Sequence, residues 1–141
     1  MTLPAPDPGP DVQRLKTRTQ FQAVMAGGET VARTAHFALH RLALAEAVSP
    51  MAPASALFTV SQPWIGAVVP KRWARRAVTR NTLKRQIYTV AQDYADHLPV
   101  AVHIVRLRVG FDRQLFPSAT SVTLRQAVRA ELQQLFDALT P

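Results

Sequence analysis

The chain is 141 residues long, one domain's length, and carries 17 Lys and Arg against 9 Asp and Glu, a formal net charge of +8. It has no cysteine, which excludes disulfides, thiolate nucleophiles and cysteine-based zinc sites and fits a reducing compartment. The charge points to nucleic acid first and to an anionic membrane second, while a hydrophobic content of 48% excludes a disordered basic tail.

Residues 1–12 hold four prolines and two aspartates and read as a disordered lead-in to a single domain over 13–139. They lack the basic start and apolar core of a signal peptide. Arg41 and Glu46 interrupt the most apolar region well short of the ~20 residues a membrane span needs. A soluble, cytoplasmic chain is the expectation.

Ordered structure is expected from about Arg14-Leu15. Thr17 and Gln20 have capping-box spacing, and Phe21, Val24 and Met25 then mark one face of a short helix that Gly27-Gly28 stops. From the residues alone, Phe21 and Met25 are core plugs. Residues 34–44 alternate as a strand, with Phe37 and Leu39 on one face and Ala38, His40 and Leu42 on the other. His36 and His40 would share the second face. No further ligand at metal-binding spacing accompanies them, so they read as sheet-surface histidines.

Residues 45–56 are small, Pro-containing and without period, as in a surface loop. Residues 57–60 and 64–69 read as strands, the second ended by Pro70.

The stretch from Lys71 to Tyr94 follows. It contains Lys71, Arg72, Arg75, Arg76, Arg80, Lys84 and Arg85, and no acid occurs between Glu46 and Asp93. At ~100° per residue, Leu83, Ile87, Val90 and Tyr94 share one face of a helix. Asn81, Lys84, Arg85 and Tyr88 occupy the adjacent arc, and Arg80 lies at the border. With no carboxylate nearby to neutralise it, such a run repels itself unless a partner offsets it. Arginine predominates, which suits bidentate contact with phosphate oxygens. An anionic polymer is therefore favoured over a merely solvated face.

After His97-Leu98-Pro99, residues 100–109 form a β-branched strand with Arg106 and Arg108 on one face, as an open charged groove would need. Ser and Thr residues in 118–123 are N-cap candidates for a last helix with Leu124, Val128, Leu132, Leu135 and Leu139 on its apolar face. The expected architecture is α+β, a two-layer sandwich with one mixed four-stranded sheet in the order α-β-β-β-α-β-α. No phosphate-cradling glycine loop, nucleophile elbow or HExxH motif occurs. Asp93, Asp96 and His97 read as a solvated helix end rather than a metal site. No catalytic residue of the protein itself is expected.

Residues 65–85, IGAVVPKRWARRAVTRNTLKR, resemble the protein subunit of bacterial ribonuclease P. That family carries an Ile-Gly strand ending in a basic pair (here Lys71-Arg72), a basic loop (Arg75-Arg76) and a helix bearing Arg-Asn-x-x-Lys-Arg (Arg80, Asn81, Lys84, Arg85). The resemblance extends over about residues 14–138, from Arg14-Leu15 with Phe21 and Val24 to the Val-rich strand and terminal helix. Departures are Thr82 where a third Arg is frequent, Met25 where a second aromatic is common, Gly27-Gly28-Glu29 in place of a basic turn, and the long 45–56 loop.

The resemblance implies a ribosomal-protein-like fold with a left-handed βαβ crossover, against the general right-handed rule. It implies a catalytic RNA partner that uses its own bound Mg²⁺ to cut the 5′ end of precursor tRNA, and no obligatory protein partner. Lys71, Arg72, Arg75, Arg76, Arg80, Asn81, Lys84 and Arg85 would face that RNA. Arg14, Phe21, Met25, Phe37, Arg106 and Arg108 would line a groove for the single-stranded 5′ leader. The competing function is a ribosome-associated or general RNA-binding protein with no catalytic partner.

Overall fold

Thr17 opens the first helix as its spacing predicts. Its Oγ1 accepts from the Gln20 N–H at 3.2 Å, while Gln20 Oε1 accepts from the Thr17 N–H at 3.1 Å. Both halves of the capping box are thus made, and two of the orphan amides of the first turn are satisfied. The computed structural model describes residues 12–44, 58, 62–111 and 122–138. The expected 1–12 lead-in apart from Val12, the 45–56 loop, the 57–60 strand apart from Phe58, most of the 118–123 cap candidates and Leu139 lie outside the described residues.

The elements in chain order are β1 (Gln13–Arg14), α1 (Arg18–Gly27), β2 (Glu29–Arg33), β3 (Phe37–Ala43), β4 (Trp64–Val68), α2 (Ala77–Asp93), β5 (Ala101–Leu107) and α3 (Val122–Asp137). The strands form one mixed sheet of five in the order β1-β4-β5-β3-β2. β1, β4 and β5 run parallel, and β3 pairs antiparallel with both β5 and β2. The expected four-stranded sheet is therefore corrected to five among the described residues. β1 joins the β4 edge through Gln13 and Leu15, whose N–H groups donate to the Pro63 and Ile65 carbonyls at 2.9 Å each. β2 follows directly on the Gly28 cap, and its ladder is broken by an irregularity between Thr30 and Ala32.

Strand alternation divides the interior in two. Ile65, Ala67, Val105, Leu107, Phe37 and Leu39 face α2 and α3 and pack against Leu83, Ile87, Val90, Leu124, Val128, Leu132, Leu135 and Phe136. Trp64, Val102, Ile104 and Leu42 face the other way, with Leu15, Ala23 and Val24 of the α1 side. Helices thus cover both faces, which corrects the expected two layers to three, with α1 alone on its side. α3 is tied to α2 by the Arg129–Asp93 ion pair at 3.0 Å and by the Tyr94 hydroxyl, which donates to Asp137. That bond to a carboxylate raises the Tyr94 pKa.

His36 precedes β3 rather than sharing the His40 face. It stacks on Phe111 at 4.0 Å between ring centroids and bonds Glu131 Oε1 of α3 at 2.9 Å. No helix of the described residues is long and apolar enough to cross a membrane.

Candidate nucleic-acid interface

The basic stretch becomes a turn over 71–73, a short extended link and then α2. Leu83, Ile87, Val90 and Ala91 are buried, so this side of α2 is used by the core, while Val78 of its first turn is exposed. Lys71, Arg72, Arg75, Arg76, Asn81 and Arg85 are exposed, and Arg80 and Lys84 are partly so. Two ion pairs occur among the described residues, His36–Glu131 and Arg129–Asp93; neither uses Lys71, Arg72, Arg75, Arg80, Lys84 or Arg85.

The start of α2 has no side-chain cap on Arg76 and no acid in its first turn. Its positive dipole end thus meets no carboxylate of its own first turn, and Arg75, Arg76 and Arg80 flank it in sequence, an arrangement that favours an anion. Arg80 has a second task. Its Nη1 donates to the Ala74 carbonyl at 3.1 Å and to the Arg75 carbonyl at 2.8 Å, which holds the approach to the helix.

Arg14 joins this surface instead of the groove expected for it. β1 pairs Arg14 with Ile65, which puts its side chain on the α2 side, and the guanidinium lies 4.4 Å from the Tyr88 ring centroid. A cleft of about 290 Å³ lies between β1 and α2, lined in part by Arg14, Tyr88, Thr89 and Gln92.

The opposite face carries the second candidate site. Phe21 of α1 lies over Gly66 of β4, where an added Cβ would stand 2.6 Å from Phe21 Cε1 and 2.6 Å from Leu15 Cδ1. Only glycine lets this ring rest on the sheet. Phe21 stays partly exposed, and Met25 is 46% exposed one turn further on. The register puts Arg106 between Val68 of β4 and Ala38 of β3 on this same face. Arg106 Nε–H donates to His40 Nε2 at 3.3 Å, so His40 Nδ1 carries its proton and donates to Thr30 Oγ1 at 3.0 Å. Burial first, then the nearby Arg106 and Arg33, lower the His40 pKa and hold the ring neutral.

Two residues expected in this groove are placed elsewhere. Phe37 is 0% exposed and packs on the α2–α3 side, so its ring is closed to any ligand base. Arg108 lies just past β5, and its Nη1 donates to the Thr34 and Ala35 carbonyls at 2.8 and 3.2 Å, binding the β2–β3 turn. Sequence reasoning missed Arg33, which β2 pairing sets beside Ala38 on the groove face. Its signal was hidden because the irregularity in β2 spoils the alternation.

No group of three or more His, Asp or Glu side chains that could hold a metal gathers among the described residues.

Comparison with known proteins identifies the family and the fold. The family model described as Ribonuclease P matches residues 10–136. The chain is 35% identical over 130 residues to the ribonuclease P protein component of Bordetella parapertussis, covering 90% of this chain and 91% of that one. It is 31% identical to the Ralstonia pickettii component, covering 93% of this chain and 81% of that one. Among solved structures, the Staphylococcus aureus RNase P protein aligns with a TM-score of 0.60 at 20% identity, over 88% of this chain and 92% of that one. The Thermotoga maritima RNase P protein aligns with a TM-score of 0.58 at 19% identity, over 87% of this chain and 94% of that one. With the family model matching residues 10–136, and a relative at 35% identity covered over nine-tenths of both chains, the chain belongs to the ribonuclease P protein family.

Proposed function

We propose that this protein is the subunit of ribonuclease P that grips the catalytic RNA through α2 and the 71–76 turn and guides the 5′ leader of precursor tRNA along its α1 face. The observation that carries this reading is the cationic start of α2: no cap, no acid in its first turn, and exposed Lys71, Arg72 and Arg75 beside it. Phosphates would supply the charge that the protein leaves out. Asn81 offers an amide to backbone or base edges, and Lys84 and Arg85 continue the strip along the helix.

On the other face, Phe21 gives a stacking surface for a leader base, Met25 extends it, and Arg106 meets the leader backbone. Phosphodiester cleavage belongs to the RNA and its own Mg²⁺, the protein supplying affinity and alignment without an active site of its own. The domain is the single unit over 13–139, working in the cytoplasm where tRNA precursors are made.

The β4–α2–β5 crossover is left-handed in this reading. For an L-residue in a strand seen with its side chain toward the observer and the chain running up, the carbonyl points right. Ile65 turns its side chain to α2 and its carbonyl to Leu15 of β1. β1 then lies to the right of β4 and β5 to the left, with α2 in front. A leftward step beneath a front helix has the uncommon hand.

The test is reconstitution. The purified protein is mixed with the RNA subunit in Mg²⁺, and 5′ cleavage of precursor tRNA is measured with affinity across a salt series. Replacing Lys84 and Arg85 together by Ala should weaken RNA binding and reduce the slope of log K against log salt by about 0.7–0.9 for each phosphate left unneutralised. An unchanged slope removes α2 from the interface. Phe21→Ala should lower affinity for leader-bearing precursor and spare mature tRNA. Equal loss on both would place Phe21 in the scaffold.

A further inference from the structure

Trp73 stands in the middle of the basic turn and belongs to neither core cluster. It is 38% exposed, whereas the other tryptophan, Trp64, is 7% exposed and packs edge-on against Phe58. An indole left this open on a charged loop gives up burial that a flexible loop could recover by folding back.

This loop is held so that it cannot. The Trp73 and Ala74 N–H groups both donate to the Pro70 carbonyl at 3.1 Å. Ala74 is buried, and Arg80 fastens the Ala74 and Arg75 carbonyls from the helix. Gly110, just past β5, closes the other side: a Cβ there would stand 2.5 Å from the Trp73 carbonyl oxygen. The Trp73 backbone is therefore held from three directions while the residue stays 38% exposed. The Arg72 guanidinium lies 5.4 Å from the ring centroid, and Lys71 and Arg75 are exposed alongside.

We infer that Trp73 is a stacking residue for an unpaired base of the RNA subunit, presented by a rigid turn whose cations hold the flanking phosphates. A rigid aromatic plane needs little ordering on binding, and every base has a π-face to lay on it. A membrane surface fits less well, because the apolar side of α2 is spent in the core and leaves no broad face for lipid. The inference rests on the reading of α2 as the RNA-facing helix, and it adds an interaction that charge cannot supply.

The discriminating property is that stacking carries no counterion. Trp73→Leu should weaken affinity for the RNA subunit roughly 5- to 150-fold while leaving the salt slope unchanged. Trp73→Phe should keep most of the affinity, and matching thermal melts of the variants show that the fold is intact. The emission difference between wild type and Trp73→Leu isolates the Trp73 signal. That signal should be quenched by added RNA subunit and become shielded from acrylamide. RNA binding with unaltered Trp73 emission, or Trp73→Leu affinity within twofold of wild type, overturns the stacking role alone. A loss confined to leader-bearing precursor overturns the assignment to the RNA subunit. A wild-type protein that does not bind the RNA subunit at all overturns both this inference and the wider reading.

Discussion

His103 gives the fold a measurable acid sensitivity. It sits in the middle of β5, 0% exposed, on the α2–α3 side of the sheet. Its Nδ1–H donates to the Trp64 carbonyl at 3.2 Å, while Nε2 is buried with no partner among the described residues. A second proton would have to go on Nε2, where no acceptor waits among the described residues. Burial lowers its pKa from 6.5 to about 4, the Trp64 hydrogen bond opposes that shift, and the nearby Arg41 adds to it. The Arg41 side chain enters because β3 pairs it directly with His103.

The sign follows from linkage. The unfolded chain takes up a proton on this histidine below about 6.5, while the folded chain resists until about 4. Stability from His103 is therefore complete above pH 6.5, is lost as pH falls toward 4 and is flat below. At about 1.4 kcal/mol per pH unit, the loss over that window is about 3 kcal/mol, a large part of the 5–15 kcal/mol typical of a domain. His103→Gln keeps a donor for the Trp64 carbonyl and removes the titration. Chemical denaturation at half-unit steps from pH 7.5 to 4 gives both stability curves. The wild type should lose about 3 kcal/mol relative to the variant across the window, whatever the offset between them at neutral pH. Parallel curves would refute the argument, since carboxylates and the other histidines act alike in both proteins.

Gly66→Ala should destabilise the fold by about 1–3 kcal/mol, because its Cβ would push the Phe21 and Leu15 side chains off the sheet; a thermal melt reads it, and an unchanged midpoint would show that both side chains yield freely. Arg80→Lys separates the two tasks of that residue. The charge stays but the reach to the Ala74 and Arg75 carbonyls is lost. RNA affinity should fall with the salt slope preserved, while a reduced slope would mean that Arg80 meets phosphate directly.

The long amphipathic elements were legible because their periods are long enough to read. Leu83, Ile87 and Val90 in α2, and Leu124, Val128, Leu132 and Leu135 in α3, are buried as their spacing implies. β1 was not legible: two residues have no period, and only their pairing with β4 makes them a strand. That pairing also decides Arg14, since a side chain's face depends on the register of its strand. Phe37 is a different kind of miss. The alternation itself put Phe37 opposite His40 and Leu42, but the family resemblance moved it to the groove, and its complete burial restores the reading of the alternation. The cationic surface was the most legible part of the site, because the absence of acids from a sequence interval does not depend on how it folds. The exposure of Trp73 was the least, since it follows from Gly110 and Arg80 meeting around one turn.

An unneutralised basic helix survives folding because its two sides are not comparable in energy. The Arg80–Lys84 pair at i,i+4 costs about 0.2–0.5 kcal/mol. Cations beside an uncapped helix start cost about 0.3–1 kcal/mol each. Against these, Leu83, Ile87 and Val90 are at most 1% exposed, and full burial of such side chains stabilises by about 1.5–3 kcal/mol apiece. The apolar side outweighs the repulsion, so α2 can hold Lys84 and Arg85 outside any ion pair among the described residues. The same margin explains why the cations can be grouped at the helix start. Under the proposed reading, bound phosphate would relieve that repulsion, and the relief would become part of the binding energy.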